Sequence, residues 1–137
     1  MDETTLQTFE KSLGRCTAKP EFLDLFYDTF LASSPKVREK FVNTDFATQK
    51  RALRASFNLM LRAAKEQGSG PPLFLEDLAQ RHGARHLAIG AELYDLWLDS
   101  LLSAVHVCDP DWSEDIDKVW EKVMGVGIGF LCTRYNE

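Results

Sequence analysis

The stretch DLAQRHGARH, residues 77–86, holds two of the chain's three histidines, His82 and His86, four positions apart. On a helix that spacing turns both imidazoles to one side. The pair could ligate a metal together, one ring could ligate with the other helping, or both could be ordinary polar side chains. His82 follows Leu78 and Ala79 by about one turn, which sets it on the apolar side of its helix. An imidazole there is either structural or a ligand shielded from water. Tyr27 raises a similar question, because it sits among Phe22, Phe26 and Phe30. A tyrosine in such company needs a partner for its hydroxyl and becomes a donor if a cavity opens beside it. Arg51, Arg54, Arg81 and Arg85 could meet an anionic group, and each is as readily a solvated side chain. No Ser-His-Asp or Cys-His arrangement stands out, and the carboxylates are spread over polar faces rather than paired. GVGIGF (125–130) superficially resembles a phosphate-binding loop, but it lies inside a helical pattern with no strand before it. Its glycines fit close packing against a helix or a large flat ligand better.

The elements that must position these residues are helical. Apolar residues recur at helical rather than alternating spacing, and no Asn-Gly or Asp-Gly hairpin turn occurs. Leu6, Phe9 and Leu13 make a first stripe. Pro20 is expected in the first turn of a second helix carrying Phe22, Leu25, Phe26 and Phe30. Pro35 starts a short helix ending near Phe41. Thr44 or Asp45 caps a long one with Leu53, Phe57, Met60, Leu61 and Ala64. EQGSGPP (66–72) breaks the chain, with the Pro71-Pro72 pair read as a helix start. A shorter helix with Leu75, Leu78 and Ala79 runs to Gly83. A broad apolar face spans Ala91 to His106, and the acidic DPDWSED opens a last helix through Trp112, Ile116, Val119, Trp120, Val123 and Phe130. Six substantial helices with one or two short ones, in one all-α domain over 1–137, is the expectation.

Composition limits the function classes. The 137 residues are 45% hydrophobic and 11% aromatic, enough for a packed core. A net charge of −5 argues against nucleic-acid binding by bulk electrostatics. No apolar run reaches the roughly 20 residues of a membrane helix. The opening MDETTLQTFEKSLGR is acidic and mixed, unlike a signal peptide. Cys16, Cys108 and Cys132 are widely spaced with no CxxC pair, which fits small buried side chains in a reducing cytoplasm.

The ordered set of features resembles the globins, specifically the bacterial single-domain globins and the globin part of flavohaemoglobins. FYDTFLASSPKVREKF (26–41) carries much of the likeness: Tyr27, then Pro35 eight residues on, then Phe41 six further. TQKRAL (48–53) resembles the entry to that family's distal helix, and LAQRH (78–82) its proximal segment. The resemblance covers roughly residues 5–135. It implies a globin fold of six to eight helices around haem b, with His82 as the iron ligand. Tyr27, Gln49 and Leu53 would line the distal side, and Phe41, Tyr94 and Trp120 would pack the haem. Gln49 takes the position of a distal histidine. Arg51 competes for that place, and Leu53, in register with Gln49, decides for the latter. The Leu78 carbonyl, one turn back, is the expected acceptor for the second N–H of His82. His86 ranks below His82 as the ligand, since it would lengthen the 29-residue span from Leu53 to 33. It is read as a propionate contact at the helix end or a surface residue. Tyr135 stands nearest to where flavohaemoglobins carry a Glu behind the proximal histidine.

What the resemblance implies for function is reversible dioxygen binding at a ferrous haem iron, for storage, transport or scavenging. The alternatives are nitric oxide dioxygenation and a haem-based gas sensor. Because the reading finds no flavin or nicotinamide segment after the globin part, turnover as an enzyme would need a separate reductase. Dioxygen, nitric oxide and carbon monoxide are the expected small partners, with neither nucleic acid nor membrane. Monomer and homodimer are both compatible with the apolar stripes.

Overall fold

The computed structural model describes residues 1–66, 73–83 and 89–133. The Pro71-Pro72 pair, Arg85, His86 and Tyr135 lie outside the described residues. Within them the chain forms seven helices and no strand: α1 (Glu3–Thr17), α2 (Phe22–Ser33), α3 (Pro35–Lys40), α4 (Phe46–Lys65), α5 (Leu73–His82), α6 (Ala91–Cys108) and α7 (Glu114–Thr133). The ends follow local chemistry. Asp2 accepts the amide of Thr5 at the start of α1, and Ser34 accepts that of Lys36 beside Pro35 at the start of α3. Asp45 rather than Thr44 caps α4, accepting from the amides of Ala47 and Thr48. Pro20 lies in the turn ahead of α2, two residues before its first helical position, and not inside its first turn.

The core forms where the apolar stripes meet. α2 packs along α6, and α7 lies across α1, α4, α5 and α6. Phe9, Phe22, Phe57 and Trp120 are all fully buried. The Trp120 indole meets Phe9 edge-on at 4.7 Å, Phe57 at 5.8 Å and Phe22 at 6.4 Å between ring centres. Such aromatic pairs add about 0.5–1.5 kcal/mol beyond the area they bury.

A polar clamp runs through this apolar centre. The Trp120 indole N–H donates to Ser12 Oγ (2.9 Å), and the Ser12 hydroxyl donates to Asp109 Oδ2 (2.6 Å). Arg15 grips the same carboxylate from Nε (2.6 Å) and Nη2 (2.9 Å), and the Asp111 amide donates to it at 2.9 Å. The Asp109 side chain has no solvent exposure, yet every donor it needs is present, so its charge is tolerable there. The clamp ties α1 to the α6–α7 corner and to α7.

Of the helical glycines in α7, only Gly127 approaches another helix. A Cβ there would stand 3.5 Å from Met60 Cε and 3.7 Å from Leu75 Cδ2, whereas Gly125 and Gly129 have open space beside them. Close helix packing therefore accounts for one glycine of the GVGIGF stretch and not for all three.

Candidate functional site

Residues of α2, α4, α5 and α6 line a cavity of about 450 Å³. That size is within the range of small-molecule and cofactor sites. On one wall are Tyr27 of α2 and Gln49 and Leu53 of α4. Gln49 and Leu53 are four apart on one helix and therefore share a face. The Gln49 amide donates to the Asp45 carbonyl at 2.9 Å, so the cap that starts α4 also fixes where Gln49 emerges. Arg51 points away from the cavity: it is exposed and donates to Thr48 Oγ1 at 3.2 Å.

The cavity is also lined by His82, the last residue of α5, and Tyr94 in the first turn of α6. The corner between them is closed by the Ile89 amide, which donates to the His82 carbonyl at 2.9 Å. His82 Nδ1 lies 2.8 Å from the Tyr94 hydroxyl. The acceptor expected from spacing was the carbonyl of Leu78; the side-chain partner found is instead a phenol on the next helix. Carbonyls inside a helix already receive the amide four residues on, and Tyr94 stands opposite the ring.

Phe41 closes one edge. It meets Tyr27 edge-on at 6.0 Å and Phe30 at 5.8 Å, and stacks on Phe46 at 6.0 Å. Trp120 is not part of this site. The resemblance made it a packing residue for the bound group, but it sits in the aromatic core, bonded to Ser12, and does not line the cavity. A different tryptophan, Trp97 of α6, lines the cavity. The sequence held a signal for it: Leu93, Tyr94 and Trp97 fall at helical spacing on one side of α6. Phe30, Val37, Met60, Ile128 and Leu131 are among the further apolar lining residues, and the spacing in the sequence marks none of them as a site residue. Lys40 and Arg81, both exposed, put positive charge at the cavity.

The imidazole and the two phenols of the cavity are held neutral. Burial pushes the His82 imidazole down to about 4, and the Arg81 cation beside it acts in the same direction. Burial pushes the Tyr27 phenol up to about 12, with the Gln49 side chain opposing the rise. Burial likewise raises Tyr94. At ordinary pH the site thus presents an uncharged imidazole and an O–H donor with a neighbouring carboxamide. A neutral ring nitrogen is what a metal ligand requires. The mostly apolar walls suit a flat, largely apolar group, and the cationic rim suits acidic substituents on its edge.

No protein-family model and no curated protein matches the chain. A crystal structure of a protein from Pseudomonas aeruginosa PAO1, described as structurally highly homologous to a human haemoglobin, does match. It shares 39% sequence identity with a TM-score of 0.91, and the alignment covers 97% of this chain and 99% of that one. With that likeness over nearly all of both chains, and with helices and cavity arranged as described, the chain belongs to the globins, in their bacterial single-domain form.

Proposed function

We propose that the protein holds haem b in this cavity and binds dioxygen reversibly at the ferrous iron. The observation that carries the reading is a neutral, half-buried imidazole and a protonated phenol lining the same cavity. His82 would hold the iron through Nε2. Phe41 and Trp97 would pack against the macrocycle, while Lys40 and Arg81, joined by His86, would meet its carboxylates. Bound haem would supply a ferrous iron with one face open to a diatomic ligand. The remaining work falls to the chain. Leu53 and Phe41 limit the space on the distal side, and Tyr27 offers an O–H and Gln49 an amide N–H to a ligand that gains negative charge. A hydrogen bond to a charged acceptor contributes about 1.5–3 kcal/mol.

The same distal pair would serve nitric oxide dioxygenation supported by a separate reductase. Mixing the oxygenated protein with nitric oxide, with and without a reductase, distinguishes one stoichiometric reaction from sustained turnover. The three free thiols, two of them buried, accord with a reducing cytoplasm. No helix among the described residues is long and apolar enough to cross a membrane.

The test of the haem reading is reconstitution. The purified protein should take up haem and develop a Soret band. His82→Ala should lose the histidine-ligated ferrous spectrum, and His86→Ala should keep it. Retention in His82→Ala with loss in His86→Ala would reverse the ligand assignment, and no uptake at all would remove the haem reading.

A further inference from the structure

We propose that the Asp24–Lys50 ion pair is a clasp between α2 and α4: it holds the first turns of α4 against α2 and so positions Gln49 beside the Tyr27 hydroxyl. For its effect on bound ligands the inference rests on the haem reading. It adds to that reading two positioning residues that stand outside the cavity lining.

Three side-chain pairs run along the seam between the two helices. Tyr27 meets Phe46 edge-on at 5.4 Å between ring centres, Asp24 Oδ1 lies 2.5 Å from Lys50 Nζ, and Phe22 packs on Phe57 at 6.2 Å. The numbers fall along α2 as they rise along α4, so the contacts form one ladder with the ion pair in the middle. Aromatic packing is largely non-directional and lets one helix rock on another. A charge-assisted hydrogen bond fixes a point. Lys50 directly follows Gln49, and Asp24 precedes Tyr27 by three positions, so the clasp stands within about a turn of both residues. The Gln49 side chain bears on the Tyr27 phenol as a hydrogen-bond partner, a contact that depends on how α4 leaves its Asp45 cap.

Burial separates this pair from the other ion pair at the cavity's edge. Lys36 and Glu92 are each 64% exposed, so water and salt screen them heavily; the Lys50 side chain is 34% exposed and that of Asp24 59%. Partly covered charges are screened less. With the clasp open, the first turns of α4 carry Gln49 away from Tyr27. A bound ligand then lacks one donor for part of the time, and the cavity widens between α2 and α4. Entry and release should both speed up, whereas loss of the Tyr27 hydroxyl acts mainly on release.

The test compares the wild type with Asp24→Asn and with the charge swap that combines Asp24→Lys and Lys50→Asp. In the haem-loaded protein, carbon monoxide association and dioxygen release should both become about two- to fivefold faster in Asp24→Asn, the range that a partly exposed ion pair supports. The swap should return both rates toward wild type. Added salt should speed them more in the wild type than in Asp24→Asn. Hydrogen exchange at the amides of residues 49–53, read with and without haem, should rise in Asp24→Asn by a similar factor. Asp28→Asn, which removes an exposed carboxylate one turn further along α2, should change none of these. Unchanged exchange at those amides, or rates that the swap does not restore, overturn the proposal. An equal shift in Asp28→Asn reduces the effect to net charge and overturns it too, as does faster exchange throughout the chain. If the wild type takes up no haem, the haem reading falls, and the exchange measurement still decides the clasp.

Discussion

Tyr27 is only 3% exposed, and its hydroxyl is the strongest donor on its wall of the cavity. Tyr27→Phe removes one oxygen and keeps the ring that packs on Phe26, Phe41 and Phe46. Losing a bond of about 1.5–3 kcal/mol should speed dioxygen release roughly ten- to a hundredfold, with a much smaller change in association. Stopped-flow displacement by carbon monoxide measures this, and an unchanged rate would take Tyr27 out of the site. That Tyr27, Gln49, Leu53, Phe41 and His82 line one cavity was legible, because each sits in a stretch that resembles the family. The tie from His82 to Tyr94 was not. It joins two helices through side chains twelve positions apart, across a corner whose path no local pattern specifies.

At the scale of helices, two devices hold the cavity walls in place. The first is the Ser12–Asp109–Arg15 clamp under Trp120. Burial by itself would raise the Asp109 pKa, but its hydrogen bonds to Arg15, Ser12 and the Asp111 amide outweigh that and hold it below the usual carboxylate value. A carboxylate depressed in the folded state stabilises the protein above its unfolded pKa of about 3.9, and that share is lost as pH falls below it. Asp109→Asn should therefore cost about 1.5–3 kcal/mol at neutral pH. The gap to wild type in denaturant titrations should narrow below about pH 4, and a gap independent of pH would contradict the account. The second device is Gly127, where α7 passes Met60 and Leu75. Gly127→Ala meets only ordinary contact distances and gains helix propensity, so it should be neutral or stabilising by up to about 1 kcal/mol. Gly127→Leu should push Met60 toward the cavity, costing about 1–3 kcal/mol and weakening haem retention. Thermal melts of both variants, with and without haem, check the pair. The clamp was hidden in the sequence because Ser12 and Asp109 stand 97 residues apart and neither carries a local motif. Asp109 had been counted with the acidic opening of the last helix, whose first turn in fact begins at Glu114.

For the whole molecule, the helical pattern was the most legible part. Period-3.6 apolar stripes and Asp, Ser and Pro at helix starts account for α1 to α7 with small shifts at the ends. What periodicity could not assign was which buried aromatic faces the cavity and which faces the core. Trp97 and Trp120 both sit on apolar faces of long helices, and only the packing of α6 and α7 against their neighbours separates them. A walled cavity of about 450 Å³ also predicts a stability effect: a haem held there as proposed would bind only the folded chain, so saturating haem should raise the melting temperature, with about 2.7 kcal/mol of added stability at a hundredfold excess over Kd. The central claim is that haem sits between His82 and an open, Tyr27-lined distal space. Its most direct test is the absorption spectrum of the reduced protein with and without carbon monoxide. The account predicts a five-coordinate ferrous haem that converts fully to a carbon monoxide adduct. A six-coordinate ferrous spectrum that resists carbon monoxide, or the absence of a haem band after reconstitution, would contradict it.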